Sequence, residues 1–264
     1  VRILAIAQNT FREAVRDKVL YVLLFFAAVV VMGSKALGWI SIGQDIKIVK
    51  DICLAATSVF GALIAIFVGT SLIYKEIDKR TLYTILARPM HRYEFILGKY
   101  LGLLAVLGLT TAAMTLGAGG YVWLLTFASD WTALQRGAGL DGLFFLAAAL
   151  IFLKLMIVTA FAVLMSAMSS PILGAIITFC FYVFGHATAV FLDLPPQFEG
   201  TFAEQALLWA YYVVPNLGHF DIRSEAANGI PVAPAFVAYV TAYAFLYTAI
   251  LLVLAAIAFE RKDV

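Results

Sequence analysis

Charged residues inside the apolar runs of this 264-residue chain are few, Lys35, Lys99, Asp141, Lys154 and Asp193 among them, and two ionisable side chains could do chemistry: Lys154, midway along Leu140–Met168, and His186, within Ile172–Leu194. At bilayer depth such a group is costly and marks a candidate path for substrate, ion or proton. The structural alternatives are that Lys154 snorkels or pairs across helices, and that His186 hydrogen-bonds a neighbouring helix. Little else in the chain could make or break bonds. The three histidines, His91, His186 and His219, fall in separate segments and offer no shared metal site. Cys53 and Cys180 both lie in apolar runs and behave as small apolar residues, with no CxxC spacing and no disulfide framework. HExxH and GxSxG motifs are absent. So is a phosphate-binding loop, because Gly98-Lys99-Tyr100 lacks the upstream glycine and the hydroxyl residue, and the chain cannot bind ATP in that manner by itself. No catalytic residues, metal or resident cofactor are therefore expected.

The elements that must position Lys154 and His186 are membrane helices. Apolar residues make up 64% of the chain and charged residues 13%, with mean hydropathy +0.98; soluble domains carry about 45–50% and about 25%. Six runs, Val19–Ile40, Ile52–Tyr74, Tyr93–Phe127, Leu140–Met168, Ile172–Leu194 and Val232–Phe259, each reach the roughly 20 residues that cross a bilayer. The third is long enough that it must project, tilt or break, and Gly117, Gly119 and Gly120 are the expected break. Gly98 and Gly102 have the GxxxG spacing that lets helix backbones approach. The first apolar run starts only near Val19 and no small-residue cleavage pattern follows it, so no cleavable signal peptide is expected.

Residues 1–18 form an amphipathic helix by pattern. Ile3, Ile6, Ala7, Thr10, Phe11, Ala14 and Val15 share one face, and Arg2, Asn9, Arg12, Glu13 and Arg16 the other. A basic helix of this kind lies at a membrane interface; the plainer alternative is a charged flank of the first span. The outer loop 195–231 is acidic and proline-punctuated, with Glu199, Glu204, Asp221 and Glu225 against Arg223. Within it, Thr201 and Glu204 have capping-box spacing ahead of a short helix, Phe202–Val214, too short to span and so interfacial or re-entrant.

Residues 74–99 are the one long, densely charged stretch between two apolar runs. Lys75, Lys79, Arg80, Arg88, Arg92 and Lys99 stand against Glu76, Asp78 and Glu94. Up to Pro89 the pattern is that of a short amphipathic helix, with Glu76 four residues before Arg80 in the favourable order. Pro89 ends it by forcing the preceding residue out of helical geometry. Here the sequence resembles the ABC-2-type (type V) ABC transporter permeases. Glu76, Thr81, Leu86, Pro89, Arg92, Gly98 and Lys99 match the loop after the second membrane helix of that family. The likeness extends to the amphipathic start, the six-span layout and the long outer loop, and is nearest to the set labelled "multicopper enzyme maturation". The copper label finds no clustered Cys, Met or His here.

The resemblance implies one all-α permease domain over 1–264, with an N-terminal elbow helix, six transmembrane helices, a cytoplasmic coupling segment at 75–92 and a short re-entrant outer helix. It implies that Glu76, Lys79, Arg80, Thr81, Leu86, Pro89 and Arg92 meet a separate ABC ATPase subunit that binds the ATP. A second permease chain, the same or homologous, would complete the assembly in a cell membrane, and export is the family's prevailing direction. Nucleic acid is not an expected partner. Two rivals stay open: an intramembrane enzyme using His186 or Lys154, and a secondary transporter. The first is disfavoured because no second polar group stands at a plausible spacing, and the second because no internal repeat with broken helices is visible.

Basic residues set the expected orientation. Arg2, Arg12, Arg16, Lys18, the six of 75–99, Arg261 and Lys262 make twelve on one side; Lys35, Lys47, Lys50, Arg136 and Arg223 make five on the other. The richer side is cytoplasmic by the positive-inside rule, with both termini, and Trp39, Trp123, Trp131 and Trp209 then fall near the outer interface. Membrane-impermeant thiol labelling of intact cells should accordingly modify Gln205→Cys and spare Thr84→Cys; the reverse pattern would invert the topology.

Overall fold

The computed structural model describes residues 2–38, 45–78, 92–128, 140–188 and 214–260, and these are helical apart from short turns. In chain order the helices are α1 (Arg2–Val15), α2 (Lys18–Gly38), α3 (Asp45–Asp78), α4 (Arg92–Ala128), α5 (Gly142–Met168), α6 (Pro171–His186), α7 (Arg223–Asn228) and α8 (Pro234–Glu260), with a 3-10 turn over Leu217–Phe220 before α7. Five of them, α2, α3, α4, α5 and α8, are long and apolar enough to cross a membrane, so this is a multi-pass membrane protein. The fifth apolar run is described as α6, an apolar helix of 16 residues.

Helices α3 and α5 form the centre. Two thirds of their apolar windows are buried within the protein, against 17% for α2 and 28% for α8, whose Phe25, Met32, Phe245 and Leu246 are exposed. Glycines let the central pair touch. A Cβ at Gly61 would stand 2.6 Å from Leu155, and one at Gly69 would stand 3.0 Å from the Ala162 Cβ. The Ser166 hydroxyl also donates across the pair to the Thr70 carbonyl at 2.9 Å. Around this centre, Phe161 stacks on Phe181 of α6 and Phe95 of α4 on Phe259 of α8. We call the end of the bundle near Phe95 and Phe259 proximal, and the end where α3 and α5 begin distal. At the distal end Asp141 caps α5 by accepting from the Phe144 amide, and its other oxygen lies 3.5 Å from the fully buried Lys50 ammonium of α3.

Helix α1 lies along the proximal half of α4. All seven residues of its expected apolar face are buried or half-buried, while Arg2, Asn9, Arg12 and Arg16 are exposed. The seat is the Gly98/Gly102 pair. A Cβ on Gly102 would come within 2.6 Å of the Ala7 carbonyl oxygen and the Thr10 Cβ, and one on Gly98 within 2.7 Å of the Ile6 Cβ. Glu13, on the expected polar face, turns instead to the buried Lys99 ammonium at 3.9 Å.

Two expectations require correction. Helix α4 does not break at Gly117, Gly119 or Gly120; it is one helix of 37 residues. At about 1.5 Å per residue it is about 55 Å long and accommodates its excess by projecting or tilting. In lipid no water competes for the carbonyls, so glycine need not open a helix whose backbone bonds are its only partners. The second span, expected to close at Tyr74, continues as α3 through Asp78, since no proline or glycine intervenes. Of the coupling residues, Lys79, Arg80, Thr81, Leu86 and Pro89 lie outside the described residues, while Glu76 falls in the last turn of α3 and Arg92 opens α4. Of the helix expected over Phe202–Val214, residues 202–213 also lie outside them, and Val214 is in a bend.

The α1 seat can be tested directly. Gly102→Ala should cost about 1–3 kcal/mol through overpacking against backbone. It should also raise trypsin cleavage at Arg12 and Arg16. Gly120→Ala, where nothing lies within 4 Å of the added Cβ, should be neutral or slightly stabilising. Equal melting temperatures for the two variants would mean that the glycine pair does not seat α1.

Candidate functional site

Lys154 and His186, far apart in sequence, meet in the structure. Lys154 projects from the middle of α5 and is fully buried. Its ammonium donates to the Ser58 hydroxyl of α3 at 2.6 Å and lies 3.2 Å from His186 Nε2 at the end of α6. The histidine's Nδ1 lies 2.9 Å from the Tyr182 carbonyl one turn earlier. A carbonyl can only accept, so Nδ1 carries the proton and Nε2 offers its lone pair to Lys154. The Tyr182 hydroxyl lies 3.4 Å from Ser58 Oγ, and its ring sits 5.9 Å from the ammonium. The three hydrogens of Lys154 thus face a hydroxyl, an imidazole nitrogen and an aromatic ring, all neutral.

The local sequence explains the arrangement. His186 and Tyr182 are four residues apart on α6 and therefore share a face. Ser58 lies three residues before Gly61, and the close approach of α3 to Leu155 at Gly61 carries Ser58 to the residue before Leu155. Ser58 and Tyr182 are the members that sequence reasoning missed. The i, i+4 spacing of Tyr182 and His186 was a usable signal. Nothing local signals Ser58, whose bond to Lys154 spans 96 residues of sequence.

A second charged group stands over this centre. Residues 214–228 return into the distal end and pack against α3, α5 and α6, with Leu217, Phe220, Ile222 and Ala226 buried. Leu217 sits on Gly185, the residue before His186, where an added Cβ would be 2.7 Å from its side chain. Asn216 organises the turn: its amide nitrogen donates to the Tyr243 hydroxyl of α8 at 3.1 Å and its side chain accepts from the Gly218 amide at 3.0 Å. Beyond the turn, Arg223 grips Asp221 with two parallel bonds, Nε to Oδ1 at 2.6 Å and Nη2 to Oδ2 at 2.7 Å. Gly229, in the left-handed region at φ 69°, ends α7. Burial alone would push the Asp221 carboxyl up. The Arg223 fork and charge, joined by the Lys154 charge, outweigh that, and the group is held below its ordinary value.

Chemically this is a buried ammonium with neutral partners beneath a self-neutralised ion pair. Among the described residues no three or more His, Cys, Asp or Glu side chains gather to hold a metal. The sequence of a family described as "Protein of unknown function (DUF2705)" matches residues 26–264 of the chain. No curated protein matches it.

The Asp221 shift has a defined pH sign. A carboxyl lowered in the folded state contributes stability above its unfolded value, about 3.9, and that contribution is lost as pH falls through the lower folded value. Thermal unfolding should therefore show Asp221→Asn weakened by about 1–2 kcal/mol at neutral pH, for loss of a charged hydrogen-bonded partner. The gap between variant and parent should close below about pH 4. A gap independent of pH would assign the effect to packing.

Proposed function

The chain belongs to the DUF2705 family, and for this member we propose the role of the membrane-spanning permease subunit of an ABC transporter, with export as its direction. The observation that carries the reading is the charged stretch 74–99, which joins two bilayer-length helices in a chain without a phosphate loop. Helix α3 runs into that stretch without interruption, and α4 leaves it already bound to α1 through Gly98, Lys99 and Gly102. A force applied at residues 75–92 would therefore reach both the central helix and the α1–α4 pair as rigid rods, whose backbone bonds are satisfied internally.

In this reading the chain has six spans, α6 with the residues after it forming the fifth, and α1 is the interfacial elbow. Both termini and 75–92 face the cytoplasm across a cell membrane. Glu76, Lys79, Arg80, Thr81, Leu86, Pro89 and Arg92 couple to a separate ATPase subunit that binds the ATP. A second permease chain completes the pathway, and Lys154 and His186 lie on it beneath the returning 214–228 segment.

One observation favours a second reading, an intramembrane hydrolase. The objection that no second polar group stands near Lys154 does not survive the 2.6 Å contact with Ser58, a nucleophile-to-base distance. Against it, Lys154 is fully buried and the helix amides around it are already bonded, which leaves no free backbone amide pair among the described residues for an oxyanion. Covalent capture of Ser58 by a fluorophosphonate would favour the hydrolase.

For the transporter, Glu76→Lys leaves the local basic count high, so the chain should insert normally. Pro89→Ala should let the segment fuse with the following helix. Each variant should insert while lowering ATPase stimulation in the purified complex severalfold. Normal insertion with native stimulation in both would rule out the coupling role.

A further inference from the structure

We infer that the Lys154 centre is a binding site for one anionic group, a carboxylate or a phosphate, on the molecule that the chain transports. The transport meaning of the site rests on the reading above; the binding does not.

The charge inventory points there. Lys154 has no carboxylate within 4.0 Å among the described residues, and the side chains it meets from α3 and α6, Ser58, His186 and Tyr182, are neutral. The charged groups that act on it are Asp221 and Arg223, and these are bound to each other through a two-bond fork. Neutral hydrogen-bond partners steady an ammonium without cancelling its charge, and an unpaired charge in an apolar interior is costly. If packing were the only requirement, an apolar residue of similar volume would serve as well or better.

The donors also adjoin one another. The Lys154 ammonium, the Ser58 hydroxyl and the Tyr182 hydroxyl form a chain of contacts at 2.6 and 3.4 Å. All three can donate to a single acceptor, as an anion requires. His186 cannot join them while Nδ1 holds its proton against the Tyr182 carbonyl, so it serves as the resting acceptor that an incoming anion displaces. Arg223 is the second cation. An anion that drew it from Asp221 would be held between ammonium and guanidinium, the pairing best suited to carboxylate and phosphate. Access requires the segment above the site to lift, because Lys154 is fully buried and Leu217 lies on Gly185.

The test uses the full chain in lipid nanodiscs, without any ATPase, and reads thermal unfolding with four probes that share one tail: hexanoate, hexyl phosphate, hexanol and hexylammonium. Hexanoate, hexyl phosphate or both should raise the melting temperature by several degrees at saturation, and which of them acts identifies the anion. Hexanol and hexylammonium should not. The shift should vanish in Lys154→Met and persist in Lys154→Arg. If Lys154→Met does not fold, Ser58→Ala and Tyr182→Phe should each raise the half-saturating anion concentration at least threefold. The proposal is overturned if neither anion shifts the native chain, if hexanol matches the anion that acts, or if the shift is unchanged in Lys154→Met or in both hydroxyl variants. Anion stabilisation alongside unimpaired ATPase stimulation in Glu76→Lys and Pro89→Ala would uphold the site and overturn the transporter reading instead.

Discussion

An ammonium held at the middle of an apolar bundle constrains everything near it. Lys154 must have acceptors, water cannot supply them at full burial, and each therefore comes from a different packed helix. That requirement fixes the rotation of α3, which must present Ser58, and of α6, which must present His186. It also fixes a distance. Ser58 reaches Lys154 because α3 has no side chain at Gly61, where it meets Leu155, so a packing feature and a polar feature are satisfied by one close approach. The bundle's central contact and its central charge are the same structural event.

The returning segment obeys a related rule. Irregular backbone among membrane helices is tolerated only where protein satisfies its polar groups. Here the Asn216 side chain closes the turn, Tyr243 accepts the Asn216 amide, and the Asp221 amide donates to the Gly218 carbonyl at 3.0 Å. The apolar side chains between these polar ones, Leu217 and Phe220, then supply the burial that holds the segment in place. Its charges, Asp221 and Arg223, stay half-buried because they neutralise each other at short range.

Much of this was legible in the sequence where a one-dimensional period carries the information. The apolar face of α1 matches the buried residues position by position, and the apolar runs locate the long helices. Lys154 and His186 stand out because polarity is rare in such runs. Their meeting did not show, because helix rotation is set by contacts between distant segments. Ser58 and Tyr182 look like ordinary hydroxyl residues until α3 and α6 are placed beside α5. Glycine proved ambiguous in the same way. Gly98 and Gly102 seat a helix as their spacing suggested, Gly61 and Gly69 do so without attracting notice, and Gly117 and Gly120 meet nothing. Composition marks where backbones could approach or bend, and only the neighbour decides which of these happens.

The seat of α1 on α4 also bears on biogenesis. The first helix of the chain docks onto glycines that emerge from the ribosome roughly 90 residues later, a wait of about 5–20 s at ordinary translation speeds. During that interval Ile3, Ile6, Thr10 and Phe11 have no protein surface to cover them, and the headgroup region of the bilayer is the available shelter for such a face. Helix α1 therefore has to be stable in two surroundings, before and after its seat on α4 exists. Its mixed character, apolar on one face yet carrying Arg2, Arg12 and Arg16 on the other, is the composition with which a helix can rest at a membrane surface before its partner exists.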